Sequence, residues 1–146
     1  MIVTNDRAVV DLDTQLRLTT TLLKKREREI LADYNVTPPQ FEALLTLREF
    51  GALTMGELCE KMYLACSTAT DLVDRMERNG LVERVRDKAD RRVVRLNVLP
   101  KGEQVADDVT AARKSQLATV LSPVSLEDKE RLIQALEHLH FYLTKS

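Results

Sequence analysis

The residues able to do chemistry cluster in the middle of the chain. Ser67, Thr68, Thr70, Asp71 and Arg75 put hydroxyls, a carboxylate and a guanidinium into the first turns of a segment with helical spacing. Residues 84–95 then carry six cations, Arg84, Arg86, Lys88, Arg91, Arg92 and Arg95, against Asp87 and Asp90. Such a set suits the recognition of a polyanion. A helix fits the major groove of duplex DNA, where hydroxyls donate and accept, a Thr methyl meets a thymine methyl, and Arg reaches guanine or phosphate. Ser67 and Thr68 also have a plainer reading as helix caps. An arginine-bearing loop can enter the minor groove while its neighbours neutralise phosphates, the plainer reading being a solvated turn. Asp90 would repel phosphate unless paired, and pairing to Arg92 or Arg91 would hold a guanidinium in one pose.

Other chemistries lack their residues. The sequence has no Gly-rich phosphate loop, no G-x-S-x-G and no H-E-x-x-H, so no catalytic residue and no cofactor is assigned and an enzyme is not expected. His138 and His140, two apart on a helix, point to different faces, and Cys59 and Cys66 are separated in sequence, so no metal site is assigned either.

The elements that would position the central residues are mostly helical. Leu12, Leu16, Leu22, Leu23, Ile30 and Leu31 recur at spacings that mostly fit one helical face, which predicts a long first helix ending near Asn35. Thr37-Pro38 opens a second helix that Gly51 stops. Thr54 and Glu57 read as a capping box for a short helix through about Met62, followed by a turn over residues 63–65 and a helix over residues 66–79 closed by Gly80. Residues 81–86 and 93–98 read as two strands of a hairpin that must lean on the preceding helices. A helix from Lys101 to about Leu121 follows, then a break at Ser122-Pro123 and a last helix capped by Ser125. The expected fold is mainly α with a small β-hairpin: a winged helix-turn-helix over residues 36–100, flanked by an N-terminal helix over 1–35 and C-terminal helices over 101–146. The flanking apolar stripes exceed what that module needs, and a second copy of the chain is the economical partner for them.

Totals agree with such a module. A chain of 146 residues with net charge −1 hides a local excess, nine Lys/Arg against six Asp/Glu over residues 61–95. No apolar run is long enough for a transmembrane helix, and residues 1–13 are too acidic for a signal peptide, so a cytoplasmic location without membrane attachment is expected.

The run LTMGELCEKMYLACSTATDLVDRMERNGLVERVRDKADRRVVRLNVLPKG, residues 53–102, resembles the MarR family of bacterial transcriptional regulators. It carries LT-x-x-EL, ST-x-T-x-LVDR, GLV-x-R, D-x-x-D-x-R and a closing K-G. The resemblance implies a homodimer binding pseudo-palindromic double-stranded DNA, often a repressor released by a small molecule or an oxidant. By position it places Ser67, Thr68, Thr70, Asp71 and Arg75 on the recognition helix and Arg84, Arg86, Lys88, Arg91 and Arg92 in the wing. Asp90 would orient the wing arginines, and Arg92 would be the minor-groove residue. The sequence departs from the family pattern at Ala65, where a capping Ser is common, at Asp71, and at Pro100.

Regulation follows from the same resemblance. A phenolic or aromatic effector would sit in a crevice between the dimer helices and the winged domain, with Tyr34, Phe41 and Tyr63 as candidate lining, although aromatic residues there also serve as core. Cys66 stands at a helix start, where the helix dipole favours thiolate, so an oxidant-sensing regulator is one alternative and an idle thiol its plain reading. A winged-helix protein-interaction module without DNA is another.

Overall fold

The computed structural model describes residues 6–146. Residues 1–5, part of the expectation of no signal peptide, lie outside them. Nine elements follow in order: α1 (Arg7–Ala32), α2 (Pro38–Phe50), β1 (Leu53–Thr54), α3 (Met55–Met62), α4 (Cys66–Arg78), β2 (Val82–Arg86), β3 (Val94–Val98), α5 (Pro100–Val120) and α6 (Leu126–Lys145). Two compact units result, one running to Thr110 and the other Ala111–Ser146.

Local chemistry accounts for the boundaries. Thr37 caps α2 by accepting from the Gln40 N–H at 3.3 Å, while the Gln40 side chain accepts from the Thr37 N–H at 3.1 Å. Gly51, at φ 85, ends α2 in a conformation that an L residue rarely adopts. Thr54 caps α3 by accepting from the Glu57 N–H, but its hydroxyl, rather than its backbone, engages the Glu57 carboxylate at 3.0 Å. The capping box expected there is therefore only half formed. Ser125 starts α6 by accepting from the Asp128 N–H. The first helix stops at Ala32, before the expected Asn35, whose own φ is 54.

The sheet has three strands rather than the two expected, in the order β1-β3-β2 and antiparallel throughout. Leu53 pairs with Leu96, and on the other side of β3 Arg84 pairs with the same residue. β1 is two residues long and carries no strand signal of its own. It exists because β3 offers it an edge.

Phe41, Leu44, Leu58, Val73, Met76, Leu81, Val82, Leu96 and Val109 are sealed together beneath this sheet. Around that core the chain makes one very close approach. Gly102 lies buried in α5, and a methyl group there would collide with the Leu81 carbonyl and come within 2.8 Å of Val98 Cγ1. The neighbouring Lys101 ammonium donates to the Asn79 carbonyl at 2.8 Å. The K-G pair thus locks the start of α5 onto the turn between α4 and β2.

The long flanking helices are otherwise bare. In α1 only Leu31 is buried, and Leu12, Leu22 and Leu23 are each more than half exposed. α6 buries no residue, and Leu132, Ile133, Leu136 and Leu143 are all at least half exposed.

Gly102→Ala is expected to lower stability by about 1–3 kcal/mol through overpacking, read by denaturant unfolding at one fixed protein concentration. An unchanged midpoint would mean that α5 does not bear on Leu81.

Candidate nucleic-acid interface

The helix-turn-helix is formed by α3 and α4 with a tight connection. Tyr63 takes the left-handed conformation at φ 55, and the Leu64 N–H donates back to the Cys59 carbonyl at 3.0 Å. From there α4 buries Ala69, Leu72, Val73 and Met76 and leaves Ser67, Thr68, Thr70, Asp71, Asp74, Arg75 and Arg78 in solvent. The apolar spacing of three and four residues produces this split. The helix starts without a side-chain cap, since Ala65 holds the cap position. Neither Ser67 nor Thr68 takes over that task, which leaves both hydroxyls outward.

Three of the polar side chains on α4 are engaged within the helix. Thr70 donates to the Cys66 carbonyl at 2.8 Å, and Asp71 pairs with Arg75 at 3.4 Å. Asp71 therefore tethers Arg75 instead of standing alone against a phosphate. Arg78, absent from the expected set, extends the same exposed face. Its spacing from Ser67, Asp71 and Asp74 is the signal that would have found it.

In the wing the cations divide into braces and free ends. Arg84 does not face outward as expected. Its guanidinium reaches Asp74 at 2.6 Å and Glu77 at 2.8 Å on α4, and its backbone N–H donates to Glu77 as well. These carboxylates raise its pKa further, the Asp74 hydrogen bond most of all. Arg84 is a strut between reading helix and wing. Arg95 is likewise turned inward, donating to the Ala52 carbonyl at 3.1 Å and lying 3.7 Å from Glu57 and 3.9 Å from Asp87. Arg86 donates to the Arg91 carbonyl at 2.9 Å and so shapes the tip.

Asp90 does what its position suggested. It accepts from Arg92 Nε, from Arg92 Nη2 and from the Arg92 backbone N–H, each at 3.1 Å. The guanidinium so gripped remains 90% exposed. Lys88 and Arg91 are exposed beside it and make no ion pair among the described residues. Between α4 and the wing tip the site offers outward hydroxyls, a tethered arginine and one arginine held in a fixed pose.

The comparisons with known proteins agree. The profile described as the MarR family matches residues 36–94. The HTH-type transcriptional regulator YsmB of Bacillus subtilis is 47% identical over 133 residues, covering 89% of this chain and 91% of that protein. The chain belongs to the MarR family. A MarR family protein from Bacillus stearothermophilus superposes with a TM-score of 0.89 at 51% identity, covering 97% of this chain and 99% of that one. The HTH-type transcriptional repressor MdtR of Bacillus subtilis is 29% identical over 130 residues, covering 89% of this chain and 82% of that protein. The chain is accordingly a MarR-family transcriptional regulator with a DNA-binding helix-turn-helix fold, and not an enzyme. No described helix is long and apolar enough to cross a membrane.

The aromatic candidates for an effector crevice differ widely in exposure. Phe41 is fully buried in the core, Tyr34 packs half-buried against it, and Tyr63 is 92% exposed. Tyr63 instead edges a shallow hollow with Glu57, Glu60 and Lys61. No group of three or more His, Cys, Asp or Glu among the described residues is placed to hold a metal ion.

The Asp90 carboxyl lies below its ordinary pKa, held there first by the Arg92 side chain and then by the Arg92 N–H. For a depressed acid the pairing is fully present above the ordinary carboxylate range and is lost as pH falls through the lowered value. A carboxyl-carbon NMR titration is expected to show Asp90 protonating below the ordinary aspartate value, with Arg92→Ala moving its midpoint up. An unmoved midpoint would mean that the pair does not form in solution.

Proposed function

We propose that the chain is a homodimeric repressor that binds a pseudo-palindromic duplex operator. In this reading α4 enters the major groove and Arg92 the minor groove, once per half-site. The observation that carries it is the Asp90-gripped Arg92, which stays open to solvent at the wing tip while Arg84, Arg86 and Arg95 of the strands are turned to structural tasks. An exposed guanidinium held in one pose has already lost its side-chain entropy, so a narrow groove can receive it at little further cost. The exposed leucines of α1 and the unburied apolar residues of α6 support a second copy as their cover. The repressor reading is supported by the likeness to MdtR, which is named a repressor. Release by a small phenolic or aromatic ligand is part of the same reading. Tyr34, whose ring is both accessible and anchored at the end of α1, is the lining residue it favours.

Selection of bound duplexes from a random pool would supply the operator. On it, Arg92→Ala is expected to cost on the order of 1–3 kcal/mol of binding while sedimentation still shows a dimer. Wild-type affinity in that variant would remove the wing from the site. Lys88→Ala is expected to weaken all duplexes alike and to reduce the salt slope by about one. A weak salt dependence of the wild-type protein would favour an acidic protein partner over DNA. Phenols and aromatic acids screened against the complex are expected to release the duplex.

A further inference from the structure

Two acids stand at the centre of the outward side of α4, where a polyanion would repel them. Ser67, Asp71, Asp74 and Arg78 follow one another at spacings of four, three and four residues, so they line one side of the helix, opposite the buried Ala69, Leu72, Val73 and Met76. Asp74 is committed to the wing, where it receives the Arg84 guanidinium at 2.6 Å. Asp71 is placed differently. It meets Arg75, one turn further on, through Oδ2 and Nη2 at 3.4 Å, and its side chain stays 65% exposed beside an Arg75 side chain that is 62% exposed. A carboxylate offers several acceptor sites and a guanidinium several donors, so one contact of that length leaves most of their capacity for a group outside the chain. A pair this exposed also adds little to the stability of its own helix.

We propose that Asp71 and Arg75 together select one C·G base pair in each half-site: Asp71 accepts from the N4 amino group of the cytosine, and Arg75 donates to O6 and N7 of its guanine. This rests on the function proposed above and names the base pair that the reading helix recognises. The match lies in the order of the groups. In the major groove a C·G pair presents a donor, the N4 amino group, and then two acceptors, O6 and N7. The ion pair presents the reverse, an acceptor followed by a fork of donors. A T·A pair has an acceptor on either side of its one donor, so the carboxylate or the guanidinium there meets a like group. With the helix direction fixed, a G·C pair in the opposite orientation sets acceptors against Asp71.

Discrimination comes from the cost of a wrong partner. A carboxylate pressed into a groove without a donor is a desolvated charge left unpaired, which is penalised more than a missing contact between neutral groups. Asp71 therefore weakens attachment to duplexes in general and relieves that penalty only where an amino group receives it. By holding Arg75 it also narrows the poses from which the guanidinium approaches the guanine.

The test uses the full-length protein, selection of bound duplexes from a random pool, and competition binding on the selected operator. Wild-type protein is expected to enrich a C·G pair at the same place in both half-sites. Exchange of that pair for T·A or for G·C is expected to lower affinity by about fivefold to a hundredfold. Asp71→Ala, at an exposed helical position, is expected to bind the exchanged operators as well as the original, and Asp71→Asn to accept adenine in place of the cytosine. Arg75→Ala is expected to lose the same preference, because both side chains share one base-pair edge. Both Asp71 variants are expected to bind an unrelated duplex more tightly than wild type does, since a negative charge has left a face turned to phosphates. A role confined to helix stability would instead weaken binding to every duplex. Half-sites with no common C·G pair, an Asp71→Ala variant that keeps the wild-type preference, or Asp71 variants weaker on every duplex would each overturn the proposal. Wild-type protein that enriches no duplex would overturn the proposed function itself, and this reading with it.

Discussion

The grip of Asp74 and Glu77 on Arg84 sets the relation between the reading helix and the wing. Both carboxylates project from the exposed side of α4, and Arg84 lies on β2 across the reversal at Gly80. Two short charged contacts and a third bond from the backbone N–H cross a single turn, which removes most of the freedom a hairpin would have about its base. A partly covered guanidinium with two acids is screened less than an exposed pair and is correspondingly stronger. It reinforces the apolar packing of Met76 against Leu81 and Val82 that already joins helix and wing.

The same constraint shows why a count of cations overstates a binding surface. Six basic residues lie in residues 84–95, but Arg84 and Arg95 are bound to carboxylates and Arg86 to a carbonyl. The charge left open to solvent in that segment belongs to Lys88, Arg91 and the oriented Arg92. Segment charge correctly located the wing; the division of labour within it depended on residues at other points of the chain.

Features written in local chemistry were legible in the sequence. Thr37, Thr54 and Ser125 cap helices where their spacing said they would, Gly51 and Gly80 end them, and the Asp90–Arg92 pairing spans only two positions. Features made by distant partners were not. β1 is a strand only because β3 lends it an edge, and nothing in Leu53-Thr54 announces that. The direction of Arg84 depends on two acids from the preceding helix. Phe41 and Tyr63 were grouped by type, yet tertiary packing sealed one and left the other in water.

The bare start of α4 has a consequence of its own. Its first amide hydrogens point outward with no side-chain oxygen to receive them, and water is a weaker acceptor for them than an anionic oxygen. A nucleic-acid backbone brought against that end would itself complete the helix. Were a duplex to dock there, its attachment and the capping of the leading turn would be a single event.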